Sequence, residues 1–123
     1  MTGAELVARA EAAAANAYAP YSHYNVGASV VTTDGRVYDG VNVENAAYPL
    51  GICAEPSAIS KAAGEGLRPG DLEAIAITAS PCGSCRQWIH EWRFERVYFR
   101  RADGTVAEYA AADLLPDTWD LPQ

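Results

Sequence analysis

Three cysteines carry most of the chemistry open to this 123-residue chain. Cys82 and Cys85 lie three positions apart in "PCGSCR", and Cys53 lies in "GICAEPSAI", two residues before Glu55. Positions i and i+3 share one face of a helical turn, so Cys82 and Cys85 can grip a single ion. A helix N-terminus offers partial positive charge and free N–H groups, which favour the thiolate of a cysteine placed there. Three thiolates leave the fourth corner of a tetrahedral zinc site open, and an open corner marks a catalytic rather than a structural site. Glu55 is too close in sequence to Cys53 for comfortable ligation of the same ion, but well placed beside the open corner. A carboxylate there can take the proton of a water whose pKa the ion has brought from about 16 toward roughly 7.

Two plainer arrangements stay open on spacing alone: a structural zinc knuckle, or three unrelated buried cysteines. A knuckle takes four ligands, and the chain has no fourth cysteine. The remaining candidates are His23, in a loop, and His90, five residues after Cys85 and on a different helical face.

The thiols need helix starts, and the surrounding pattern supplies them. A helix is expected from Cys53 to about Ala63, ending at Gly64 or Gly66, and another from near Cys82 through "CRQWIHEW". Residues 2–18 are Ala-rich, with Leu6, Ala10, Ala13 and Ala17 able to share a face, and read as a helix. Pro20 breaks "YAPYSHY" into a loop. Strands are expected at 26–33 and 36–43, joined at Asp34-Gly35, a strong hairpin signal. "NAAYPLG" is a loop, and "LEAIAITAS" (72–80) is a strand apolar enough for burial on both faces. Residues 95–101 and "VAEY" complete the strands, and "AAADLLP" is a short helix stopped by Pro116. The order α-β-β-α-β-α-β-β-α implies one domain over 1–123: an α/β fold of three layers, α/β/α, around a mixed sheet of about five strands.

Bulk properties narrow the partners. The net charge of −7 argues against a groove that tracks a phosphate backbone, so no nucleic acid is expected. No apolar run approaches a membrane span, and residues 1–18 lack the pattern of a signal peptide. A cytoplasmic protein with reduced thiols is the expectation, and an odd cysteine count rules out a complete disulfide framework.

Over nearly its whole length the chain resembles the cytidine deaminase family, in its short zinc form with three Cys ligands. The likeness lies in "YSHYNVGASVVTTDGRVYDGVNVENAAYPLGICAE", "SPCGSCRQ" and "LLPDTW". It implies Cys53, Cys82 and Cys85 as ligands of one Zn²⁺ and Glu55 as proton shuttle. It implies Asn42 and Glu44 as partners of the ribose 3′-hydroxyl, Tyr24 against the base ring, and backbone contacts from Ala54 to the pyrimidine edge. It also implies a homotetramer in which Trp119 of a neighbouring subunit closes the pocket.

Three positions depart from the family pattern. The family usually has Arg directly after the catalytic Glu, where it offsets thiolate charge; this chain has Pro56, and Arg86 beside Cys85 is the replacement expected to compensate the zinc site. Tyr24 stands where the family has Phe, and Trp119 is the aromatic near the C-terminus. The implied reaction is hydrolytic deamination of cytidine or deoxycytidine to uridine or deoxyuridine, with release of ammonia. The alternatives are the same chemistry on an N4-substituted cytidine or a nucleoside antibiotic such as blasticidin S, and a non-catalytic zinc-binding module.

Overall fold

The computed structural model describes residues 1–122. Thr2 starts the first helix with a capping box: its hydroxyl accepts the Glu5 N–H at 3.1 Å, and the Glu5 carboxylate accepts the Thr2 N–H at 3.2 Å. This helix, α1, spans Gly3–Ala14 and stops short of the expected 2–18. Two long-range contacts end it. Asn25 Nδ2 donates to the Ala14 carbonyl at 3.1 Å. Tyr18, which alanine-rich composition would leave helical, pairs its backbone with the second hairpin strand's extension, donating to Asn42 O and accepting from Glu44 N–H.

Five strands form one sheet in the order β2-β1-β3-β4-β5. They are β1 (Gly27–Thr32), β2 (Val37–Val41), β3 (Leu72–Ile77), β4 (Arg96–Arg100) and β5 (Val106–Ala110). The β1–β2 hairpin turns at Asp34-Gly35, where Gly35 takes the positive φ of 91°. Strands β3 and β4 are parallel and the other three pairs antiparallel. A parallel pair needs a crossover, and helix α3 (Gly83–Glu91) supplies it. Helix α2 (Ala54–Gly64) crosses between β2 and β3. "AAADLLP" forms a 3-10 turn at Ala111–Leu114 rather than an α-helix.

Alternation along the strands makes the three expected layers. Ala28, Val30, Ile75, Ile77 and Val97 point to one face and pack with Ala58, Ile59 and Ala62 of α2 and Ile89 of α3. Val31, Ala74 and Ala76 point to the other and pack with Leu6, Val7 and Ala10 of α1. The sheet residues under α1 are small, and its backbone comes close: a Cβ on Gly27 would sit 2.0 Å from the Ala10 carbonyl oxygen.

Gly40 in β2 plays the same part for α2. A Cβ there would lie 2.3 Å from Ala58 N and 2.6 Å from Ala54 O, both backbone atoms that cannot rotate away. This contact sets the height of the helix that carries Cys53 and Glu55. Gly40→Ala should therefore cost about 1–3 kcal/mol by overpacking, read as a lower urea midpoint. Activity should fall further than the unfolded fraction explains. An unchanged midpoint would remove this packing argument.

Candidate active site

The three cysteines meet where α2 and α3 begin. Cys53 is the N-cap of α2 (φ −77°, ψ 166°) and Cys82 the N-cap of α3 (φ −71°, ψ 172°). The Cys53 side chain makes no capping bond to its own helix, which leaves its sulfur free for another partner. Cys85 lies in the first turn of α3 and is buried. The three Sγ atoms lie within 4.8 Å of one another. Among the described residues no histidine joins this cluster: His90 Nε2 instead contacts Asp120 Oδ1 at 2.8 Å, and His23 sits in the loop before β1.

The electrostatics of the cluster call for a cation. Glu55 is 3 % exposed, and burial raises its pKa above the usual carboxyl range. Burial, and then the Glu55 carboxylate, push the Cys85 thiol far up. Burial raises Cys53 as well. Only Cys82 is lowered: burial opposes its ionisation, but hydrogen bonds from the Cys85 backbone N–H and from the other two thiols outweigh that. Four acidic groups packed this closely cannot all ionise in the protein alone. A soft divalent cation on three thiolates resolves the conflict, and the donor set fits it.

Cys53, Cys82, Cys85 and Glu55 line a cavity of about 350 Å³. Its walls run past Ala54 to Tyr24, Asn42 and Glu44, so every residue expected to touch substrate from this chain reaches one space. Asn42 is fixed from both ends of its amide. Its Oδ1 accepts the Val26 N–H at 2.8 Å and its Nδ2 donates to the Tyr24 carbonyl at 2.8 Å. The Glu44 carboxylate accepts the backbone N–H groups of Tyr21 and Ser22 at 3.0 and 3.1 Å, and the Ser22 hydroxyl. Ser22's hydroxyl and then its N–H hold the Glu44 carboxyl below its ordinary pKa. Tyr24 is 61 % exposed at the mouth.

The other expected residues lie outside this cavity. Trp119 is exposed, and its carbonyl accepts from Gln87 Nε2 at 3.5 Å on the outer side of α3. Arg86 donates to the carbonyls of Pro81 and Leu114 at 3.0 and 3.1 Å and to Ser80 Oγ at 3.3 Å. It clasps the loop that presents Cys82, with its donors on oxygen rather than sulfur. Pro56 is buried in the first turn of α2 and does not line the cavity. Sequence reasoning missed two serines. Ser22 holds Glu44, and Ser57 Oγ accepts the Val41 N–H at 3.3 Å, tying β2 to the start of α2. Lone serines carry no spacing signal, so nothing in the sequence marked them.

Three thiols and a buried carboxylate brought to one cavity by a mixed sheet are the donor set and proton acceptor that a metal-assisted hydrolase uses. Residues 2–101 match the family described as the cytidine and deoxycytidylate deaminase zinc-binding region, and the chain belongs to that family as a cytidine deaminase-type enzyme. It is 40 % identical over 120 residues to a cytidine deaminase of Sporosarcina psychrophila, covering 91 % of this chain and 87 % of that one. To the cytidine deaminase of Halalkalibacterium halodurans it is 41 % identical over 119 residues, covering 90 % and 89 %. The crystal structure of cytidine deaminase from Burkholderia pseudomallei superposes with a TM-score of 0.90 at 44 % identity, over 97 % of this chain and 100 % of that one.

Proposed function

We propose that this enzyme deaminates a free cytosine nucleoside, cytidine or deoxycytidine, by hydrolysis. The C4–N4 bond breaks, the oxygen of water becomes O4 of the uracil product, and N4 leaves as ammonia. The observation that carries this reading is the single cavity that joins three sulfurs and the buried Glu55 to Asn42 and Glu44.

Cys53, Cys82 and Cys85 would hold one Zn²⁺ per chain, which when bound supplies a Lewis acid and lowers the pKa of water. Glu55 takes the proton of the attacking water and returns protons to N3 and to the departing amine. Its burial keeps those transfers away from bulk solvent. Asn42 and Glu44 take the sugar hydroxyl. Asn42 keeps one N–H beyond its two loop bonds, and Glu44 keeps acceptor capacity beyond its three. Tyr24 lies against the ring, and Ala54 offers its backbone to the pyrimidine edge. Arg86 contributes positive charge near the thiolates through the loop it clasps. The free thiols suit a reducing cytoplasm, and among the described residues no helix is long and apolar enough to cross a membrane.

A substrate panel read by loss of cytosine absorbance tests the reaction. Cytidine and deoxycytidine should be turned over by zinc-loaded protein, and no turnover of either would overturn the reading. Of the two departures that motivate a modified or N4-substituted substrate, Pro56 lies outside the cavity and Tyr24 lines it, so the same panel should include an N4-substituted cytidine.

Assembly as a homotetramer completes the proposal. The cavity opens toward exposed Tyr24 and Tyr48, and Trp119 is exposed away from it. A neighbour's Trp119 would cover such an opening. Trp119→Ala should then raise KM by roughly tenfold, in line with a buried aromatic anchor, while the unfolding midpoint barely moves. A fully active monomer at assay concentration would contradict this.

A further inference from the structure

The loop that carries Tyr24 is held by side chains that also line the cavity. Between Ala19 and Val26 the chain makes few regular hydrogen bonds, and His23 takes a left-handed φ of 60°. A non-glycine residue holds that conformation only when its surroundings fix it. The His23 N–H donates to the Ala19 carbonyl at 3.0 Å, and Asn42 grips Tyr24 O and Val26 N–H on the far side. The near side is gripped by one hydroxyl. Ser22 Oγ donates to Glu44 Oε2 and accepts the Tyr24 N–H at 3.1 Å.

We propose that Ser22 is a positioning residue for substrate: its hydroxyl aims the Glu44 carboxylate at the sugar and ties that carboxylate to the loop that presents Tyr24. This rests on the reading of Glu44 as the sugar ligand. A carboxylate has about four acceptor sites, and Ser22 and Tyr21 occupy three of them, Oε1 with two backbone N–H groups and Oε2 with the hydroxyl. The backbone donors alone leave Oε2 free to swing. With the Ser22 hydroxyl in place, the remaining lone pair keeps one direction, toward the cavity that Glu44 lines. A glutamate is ionised at neutral pH, and these bonds lower its pKa further, so it accepts and cannot donate. The partner it suits is the O–H of the sugar.

The test compares cytidine with 3′-deoxycytidine, which lacks the hydroxyl, each read as KM or as a competitive Ki. Ser22→Ala should raise the cytidine value by roughly three- to tenfold, the scale of one ordinary net hydrogen bond, because Ser22 acts on the substrate only through Glu44. kcat and bound zinc should stay unchanged, and 3′-deoxycytidine should be affected less. Ser22→Thr, which keeps the hydroxyl, should restore cytidine binding. The double variant Ser22→Ala with Glu44→Gln should bind cytidine no worse than Glu44→Gln alone, because the two act through one contact. Equal losses for both nucleosides with a lowered unfolding midpoint would reduce Ser22 to a loop staple and overturn the inference. An unchanged cytidine KM in Ser22→Ala, with a raised one in Glu44→Gln, would overturn it alone. An unchanged KM in Glu44→Gln would overturn the sugar reading and the inference together.

Discussion

Glu55→Gln is expected to lower kcat for cytidine by at least ~10²–10⁴-fold, the range for a positioned general acid–base group, with bound metal unchanged. The amide keeps the length and shape of the side chain, so the wall of the cavity and the sulfur cluster are preserved. It cannot take a proton from water at neutral pH, and Glu55 is asked to move more than one proton in each turnover. Stability should move the other way. Burial raises the pKa of Glu55 in the metal-free protein above its unfolded value. The folded state therefore favours the protonated acid, and the stabilisation this gives below the unfolded pKa is lost as pH rises through the folded one. As pH rises above the unfolded pKa the metal-free wild type loses this stabilisation, while Gln, neutral throughout, has no charge to desolvate. Metal-free Glu55→Gln should melt above metal-free wild type at pH 7 and not at pH 4. Turnover within a few-fold of wild type would remove Glu55 from the proton path, whatever the melting curves show.

Much of this site was legible because zinc chemistry is written in residue types. Cys53, Cys82 and Cys85 are the chain's only three cysteines and Glu55 stands two residues after the first, and their helix-start positions follow from Pro, Gly and apolar periodicity around them. The hairpin was equally plain, since Asp34-Gly35 sits between β-branched runs. What the sequence hid lies in long-range backbone pairing. The end of α1 at Ala14 depends on Asn25 and on the bridge from Tyr18 to Val43, partners that no window around residue 14 contains. Val43 in turn bridges to Ile52, which pulls the chain toward Cys53. The strand expected at 72–80 ends at Ile77: the Thr78 N–H still reaches the Gly27 carbonyl in register, but the Gly27 N–H goes to the Thr78 hydroxyl instead of its carbonyl, and the ladder stops there. That early end leaves a loop for Cys82 to begin α3. The sequence suggested Arg86 as charge compensation for the thiolates, whereas its grip on Pro81 and Leu114 belongs to tertiary structure alone.

Cys85→Ala should abolish tight metal binding and, with it, measurable deamination. Cys85 is the one buried member of the cluster, in the first turn of α3 and close to the other two sulfurs. Its loss leaves two sulfurs at the exposed rim, which is too few for a closed grip on zinc. Changing groups that merely orient a ligand already costs ~10–100-fold in affinity, so removing a ligand should cost more. Two further measurements separate metal loss from misfolding. A metal that binds the folded state raises its melting temperature by mass action, so wild type should melt lower after chelation. Cys85→Ala should melt near the chelated wild type, should not respond to chelator, and should keep a folded circular-dichroism spectrum. The small cavity left by one sulfur costs only a fraction of a large-to-small core change. A Cys85→Ala protein that retains about one zinc per chain and turns over cytidine would show that the ion is held elsewhere. A variant that unfolds outright would instead assign Cys85 to the core, and Cys82→Ala, at the exposed rim, would then carry the same metal test without that confound.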